Sequence, residues 1–381
     1  MKVVVASLGA YGHLYPMVPL ALACAAAGHD VVVATGPPFL GRLPVRSVPG
    51  YPGSLGLDSA FAEAARRHPG LSGPDLAFAM FADVGSEQVT PTMVQVLRDE
   101  RPDLVVYEGM DVGAGVAAAL VGVPAAVFGI SLVPGLVYPV LHAAAAGYRR
   151  DDWLARDLVP PTDPRLLGAA LLDPTPPGLL RADDPLALVR WPVRSVPYSE
   201  ASGPPAWSGG ERRRPRVYLT LGTVSFGAIE VLRQALAGIA PLDVEVLVAV
   251  GPDGDPALLG PQPAHVHVER FVDQPAVLGT VDLVVHHGGT GTVLATLAAG
   301  LPQLLLPQGA DHFVNADLLG RVGAARALLG DAQQAEAVAD AVRALLGPGP
   351  ERDRAGALAA EIAAMPDPAD LVPRLVGLAG G

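Results

Sequence analysis

Lysine is all but absent from this chain: Lys2 is the only one in 381 residues. A phosphate loop of the GxxxxGK[ST] kind needs a lysine after its glycines, so that machinery for nucleotide hydrolysis is excluded. Cysteine is as scarce. Cys24 stands alone in an apolar helical run, so no intrachain disulfide can form and a reducing compartment fits. Positive charge is short as well: 26 Lys and Arg against 38 Asp and Glu give a net charge of −12. With no basic stripe, neither a nucleic-acid polymer nor an anionic membrane is an expected partner. The stretch 112–148 lacks charge altogether, yet Pro124, Pro134 and Pro139 interrupt it. A membrane helix needs about 20 uninterrupted apolar residues. The stretch therefore reads as a buried helix, a Gly122-Val-Pro124 turn, a buried strand and an apolar pocket wall. The first apolar run is broken by Gly9, Gly12 and His13 and is too short for a signal peptide, so a cytoplasmic location is expected.

What the chain does have is alternation. Near-continuous Val/Leu runs alternate with helix-like runs, the pattern of βα units around parallel sheets covered on both faces. Met1–Ser7, Asp30–Thr35, Asp103–Tyr107 and Ala125–Ile130 read as strands, with helices over Tyr15–Ala27 and near Gly113–Val121. Residues 151–200 are proline-rich and read as irregular loops. A Pro/Gly/Ser-rich connector, 201–216, then separates two α/β halves, 1–200 and 217–381. A helix–Gly-x-Pro–strand echo, Gly122-Val-Pro124 and Gly300-Leu-Pro302, marks the halves as similarly built.

The most informative segment is Val281-Asp-Leu-Val-Val-His-His-Gly-Gly-Thr-Gly-Thr292: an apolar strand, a histidine doublet, a glycine-rich turn and the start of a helix. A helix start offers unpaired N–H groups and a positive dipole end, glycines let an anion approach, and a histidine adds a donor or a charge. A phosphorylated ligand is expected here. Successive strand residues point opposite ways, so one histidine of the doublet is expected to be structural. The next strand, Gln303–Pro307, leads to Asp311-His312, placed to meet the same ligand.

These residues carry a family resemblance. The run from Glu269-Arg-Phe-Val-Asp-Gln274 through His286-His-Gly-Gly-Thr-Gly-Thr292 to Pro307-Gln-Gly-Ala-Asp-His-Phe-Val-Asn315 resembles the donor signature of family 1 glycosyltransferases, in the bacterial branch that decorates natural products. Ser7-Leu-Gly-Ala-Tyr-Gly-His-Leu-Tyr-Pro16 and Ala27-Gly-His-Asp-Val31 are similar to that family's N-terminus. The resemblance implies a GT-B fold: two Rossmann-like parallel-sheet domains facing across a cleft. The first would bind the acceptor and the second the nucleotide-sugar, with the last helix, about 368–379, crossing back to the first. It also implies a nucleotide-sugar donor and no permanently bound cofactor.

Carried over residue by residue, the donor side comprises Gly222 and Thr223 after a strand, then Phe271, Val272 and Gln274 around the base. His287, Gly288, Gly289, Thr290, Gly291 and Thr292 would hold the diphosphate, and Asp311 and His312 the sugar. His312 stands where many relatives have Gln. An imidazole lacks the amide's paired donor and acceptor, so sugar recognition must differ, and a dTDP-deoxysugar is favoured over UDP-glucose. His13 would be the base, with Glu108 or Asp111 orienting it; many relatives have Asp in that role. A direct displacement would invert the anomeric centre with no metal. Phe78, Met80, Phe81 and the wall 130–146 are candidates for an apolar acceptor pocket, suited to a polyketide aglycone. His142 receives no role. An oxygen or a carbon nucleophile, and a monomer or a homodimer, remain equally compatible.

Three rivals are weighed. An NAD(P) dehydrogenase would need GxGxxG and an acidic residue ending the second strand, but that strand ends at Thr35. A nucleotide-sugar epimerase of the same architecture would consume donor without acceptor. A non-catalytic partner of another transferase would have no use for His13.

Overall fold

Valine and leucine dominate the strands because both faces of a parallel sheet are covered by helices. The computed structural model describes residues 1–53, 56–162, 164–200, 203, 212–222, 229–252 and 254–380, with backbone alone at 57 and 58. Two units emerge. One comprises Met1–Thr175, Leu180–Arg194 and Pro366–Gly381; the other comprises Pro176–Leu179 and Ser195–Met365.

The first unit holds β1 (Lys2–Ala6), β2 (Asp30–Thr35), β3 (Arg46–Pro49), β4 (Leu104–Glu108), β5 (Ala125–Phe128), β6 (Ala170–Asp173) and β7 (Arg190–Pro192). All pairings are parallel, in the order β3-β2-β1-β4-β5-β6-β7. The second unit holds β8 (Arg216–Thr220), β9 (Glu245–Ala249), β10 (Val266–Glu269), β11 (Leu283–His286), β12 (Gln303–Leu305) and β13 (Arg326–Ala327). Its order is β10-β9-β8-β11-β12-β13, again parallel. The winding direction reverses between β1 and β4 in one sheet and between β8 and β11 in the other. In open α/β sheets that reversal leaves a crevice beyond the carboxyl ends of the strands, where ligands bind.

The fold is GT-B, as the resemblance implies. Three sequence expectations need correction. Residues 151–200 are not merely loops, because they supply β6 and β7, which extend the first sheet. These strands are short and bracketed by Pro174, Pro176 and Pro192, so propensity and periodicity carry little signal; burial of Ala170–Asp173 in the sheet decides their state. The helix expected over Tyr15–Ala27 is instead a helix at Tyr11–Leu14, a 3₁₀ turn at Tyr15–Met17 and a helix at Val18–Ala26. Pro16 and Pro19 lack the N–H groups a continuous helix would use, so each sits in a first turn. The uncharged wall 130–146 is mostly the helix Pro134–Tyr148, with Tyr138, Leu141, Ala145 and Ala146 in the core and Leu136 and Val140 exposed.

The closing helix, Pro368–Ala379, packs in the first unit against the Val18–Ala26 helix and β4. Asp367 caps it through the Ala369 amide at 3.0 Å, while Arg374 lies 4.0 Å over the Trp191 ring. No described helix is long and apolar enough to cross a membrane.

Candidate active site

In the first unit, β1 ends at Ala6 and a tight loop leads to the helix Tyr11–Leu14, which carries His13. Across the switch point, β4 ends on Glu108, whose neighbour in register is Phe128 of β5. His13 Nδ1–H donates to Glu108 Oε1 at 2.8 Å. The other carboxylate oxygen, Oε2, accepts the Met110 amide at 2.7 Å, so the carboxylate is fixed from two sides. Glu108 is fully buried, while the His13 side chain keeps 19% of its exposure. A carboxylate accepting from Nδ1–H puts the ring lone pair on Nε2, the tautomer that can accept a proton there.

Asp111 does something else. It caps the helix Val112–Val121, accepting the Ala114 amide at 3.4 Å. Burial, and then the charge of Glu108, push its carboxyl up to about 8, so it is largely neutral at pH 7. Of the two carboxylates named from sequence, the structure brings Glu108 to His13. Phe81 reaches the same imidazole with a ring-centre distance of 6.1 Å. Met80 is core, packed with Ala60, Ala64 and Val84, and Phe78 packs beside Leu141 and Ala145.

In the second unit, β11 ends at His286 and the helix Thr290–Ala298 begins three residues after His287. Gly289 occupies the N-cap without a side-chain cap, and the first intrahelical bond is Val293 N–H to Gly289 O at 3.0 Å. The Thr290, Gly291 and Thr292 amides therefore have no partner within the helix. The histidine doublet divides as alternation requires. His286 is fully buried; its Nε2–H donates to Gln303 Oε1 at 2.8 Å and its Nδ1 accepts the Gly288 amide at 3.1 Å. Burial holds it down to about 4, so it is a neutral structural pin.

His287 lies between two glycines. A Cβ on Gly222 would come within 2.7 Å of its Cε1, and one on Gly289 would overlap its Nε2. Its Nδ1 is inaccessible to solvent and has no hydrogen-bond partner among the described residues. Burial, then the neighbouring His312 and His286, hold the imidazole well below its usual range. His287 is thus neutral, without the positive charge that the sequence left open.

The remaining donor-side residues split in two. Asp311 Oδ2 accepts Thr290 Oγ1–H at 2.6 Å and Asn315 Nδ2–H at 2.9 Å, and Asn315 also donates to Gly288 O at 2.9 Å. This buried web ties the glycine turn to the helix His312–Arg321 through Asn315, which closes the donor signature but has no role expected of it from sequence. His312 packs edge-on against His287, ring centres 4.5 Å apart, and its Nδ1 accepts the Gln308 and Gly309 amides at 3.3 and 3.2 Å. Gln274 Nε2–H reaches Thr292 Oγ1 at 3.4 Å. Phe271 is 39% exposed and so is not ordinary core, whereas the Val272 side chain is core and offers a ligand only its backbone. Thr223 lies outside the described residues. Among those described, no group of three or more His, Cys, Asp or Glu side chains is arranged to hold a metal ion.

Two family signatures cover most of the chain: "Erythromycin biosynthesis protein CIII-like, N-terminal domain" over residues 59–222 and its C-terminal counterpart over 233–378. The L-demethylnoviosyl transferase of Streptomyces niveus is 35% identical, the match spanning 97% of this chain and 96% of that protein. The chain belongs to the bacterial natural-product glycosyltransferases of the GT-B fold. Solved glycosyltransferases agree. SnogD from Streptomyces nogalater superposes with a TM-score of 0.81 at 29% identity, covering 100% of this chain and 99% of its own. The spinosyn rhamnosyltransferase SpnG, complexed with thymidine diphosphate, gives 0.81 at 29% identity, covering 99% of this chain and 100% of its own. In this glycosyltransferase one switch point carries His13 bonded to the buried Glu108, and the other carries His287 beside the uncapped start of the helix Thr290–Ala298.

Proposed function

We propose that this glycosyltransferase moves a deoxysugar from a dTDP-sugar to a hydrophobic natural-product aglycone, with inversion at the anomeric carbon. The observation that carries the reading is the 2.8 Å bond from His13 Nδ1–H to the buried Glu108. It leaves Nε2 as the proton acceptor. The acceptor hydroxyl loses its proton to Nε2, and either its oxygen or, in a phenol, the ring carbon ortho to it attacks the anomeric carbon. The bond from that carbon to the diphosphate oxygen breaks, and the nucleotide leaves with the electron pair. Glu108 then faces the imidazolium, as the carboxylate of a triad does.

The leaving diphosphate gains negative charge as the bond breaks. In this reading it is stabilised by the Thr290, Gly291 and Thr292 amides and the helix dipole, with His287 as a further donor. Thr223 and Gly222 would adjoin the phosphates, and Phe271 would stack on the base with the Val272 backbone and Gln274 beside it. Asp311 would meet the sugar through its second oxygen while Oδ2 stays tied to Thr290. No metal is required, because amides and dipole take its electrostatic part. The thymidine diphosphate bound to SpnG and the rhamnosyl and demethylnoviosyl groups in its relatives' names support a dTDP-deoxysugar. Phe81 beside His13 supports an apolar, ring-containing acceptor.

The test is a panel of dTDP- and UDP-sugars against aromatic and macrolide aglycones, with products identified by mass spectrometry and anomeric configuration by NMR. The reading expects a glycoside of inverted configuration from a dTDP-deoxysugar. Retention of configuration, or donor consumption with no acceptor present, would contradict it.

A further inference from the structure

We propose that Tyr51 and His142 are positioning residues that hold the two halves of the His13–Glu108 pair at bonding distance. The proposal rests on the reading of that pair as base and orienting carboxylate. Neither residue is near His13 or Glu108 in sequence. Tyr51 follows β3, an edge strand, and His142 lies within the helix Pro134–Tyr148. Both are buried, at 5% and 0% exposure.

Tyr51 acts on the His13 side. Its hydroxyl oxygen accepts the Gly9 amide at 2.7 Å. Gly9 immediately precedes Ala10, the N-cap of the His13 helix, and that helix has no side-chain cap of its own. The phenol therefore pins the main chain one residue before the N-cap and so fixes where the helix carrying His13 begins. The loops after β1 and β2 leave room for it. A Cβ on Gly9 would come within 2.5 Å of the hydroxyl, and one on Gly36 would overlap it.

His142 acts on the Glu108 side. Its Nε2–H donates to the Gly109 carbonyl at 3.0 Å, and its Nδ1 accepts the Leu167 amide at 2.9 Å. Gly109 directly follows Glu108, and a Cβ there would collide with the Tyr138 ring, so the turn is clamped from two side chains of one helix. Both ring nitrogens are used by a neutral imidazole, and burial pushes it down to about 4, which keeps it in that form at neutral pH. A site so restrained keeps the pair within bonding distance; a slip of about 1 Å in such a geometry costs up to about a hundredfold in rate.

The experiment is steady-state kinetics on Tyr51→Phe and His142→Gln, each alone and each combined with Glu108→Gln, at a temperature well below every melting midpoint. Each single change is expected to lower kcat about tenfold or more, with both KM values within about twofold. In the Glu108→Gln background the same changes should have little further effect, since the carboxylate charge they align with the imidazole is gone. Full kcat in Tyr51→Phe, which keeps the buried ring and so the packing, overturns the proposal even if His142→Gln fails to fold. So does an equal fold-loss with and without the Glu108 carboxylate. An unchanged kcat in Glu108→Gln itself overturns the reading of the pair and the proposal together.

Discussion

The His287 ring occupies the space in which a Cβ on Gly289 would stand. Gly289 has ordinary extended backbone angles, φ −64° and ψ 140°, so its lack of a side chain is explained by the imidazole rather than by its own conformation. Of the glycines in this turn Gly289 makes room for the histidine, whereas Gly291 has open space where its Cβ would stand.

Gly289→Ala should accordingly displace His287 without straining the main chain. Overpacking of this kind costs roughly 1–3 kcal/mol, and dTDP affinity is expected to fall about tenfold. Titration calorimetry with dTDP reads it; unchanged affinity would show that the ring is not part of the nucleotide site.

His287 is neutral because burial, reinforced by His312 and His286, disfavours its charged form. As a neutral donor it should be partly replaceable by an amide. His287→Ala is expected to weaken dTDP binding about tenfold to a hundredfold, the worth of one hydrogen bond to a charged group, with His287→Gln recovering part of the loss. At pH 8 the wild-type protein should take up no proton on binding, measured in buffers of different ionisation enthalpy. Proton uptake at that pH, or no difference between Gln and Ala, counts against a neutral donor.

Asp111 gives a pH signature of stability. Its folded-state pKa, about 8, lies above the ordinary carboxylate value near 4. Between those values the folded protein holds a proton that the unfolded chain releases. The stability contributed by this group is therefore complete below about pH 4 and is lost as pH rises through 8. Asp111→Asn keeps an N-cap and removes the titration. Relative to wild type, the variant's melting temperature should rise steadily between about pH 5 and pH 8; a pH-independent difference would contradict this assignment.

How much of this was legible in the sequence depends on the scale of the signal. Asp30–Thr35 is a strand over just the residues expected, because the apolar run 31–34 ending beside a Gly-Pro turn leaves no competing reading. The histidine doublet resolved into one structural and one glycine-flanked member on strand alternation alone. The strands β6 and β7 escaped because residues as few as Arg190–Pro192 carry no period, and their state is decided by neighbours distant in sequence. The roles of Asn315, Tyr51 and His142 escaped for the same reason: each bonds a backbone group many residues away, a partner that its own sequence neighbourhood does not announce. Choosing between Glu108 and Asp111 likewise needed distances, since one ends and the other closely follows the same strand.

The central claim is that His13 takes the acceptor's proton and has no part in holding the nucleotide. Its most direct measurement is kcat and dTDP affinity for His13→Ala side by side. The account predicts a loss of about a hundredfold to ten-thousandfold in kcat, the usual worth of general base catalysis, with dTDP affinity unchanged. Retained turnover, or a matching loss of dTDP affinity, would contradict it.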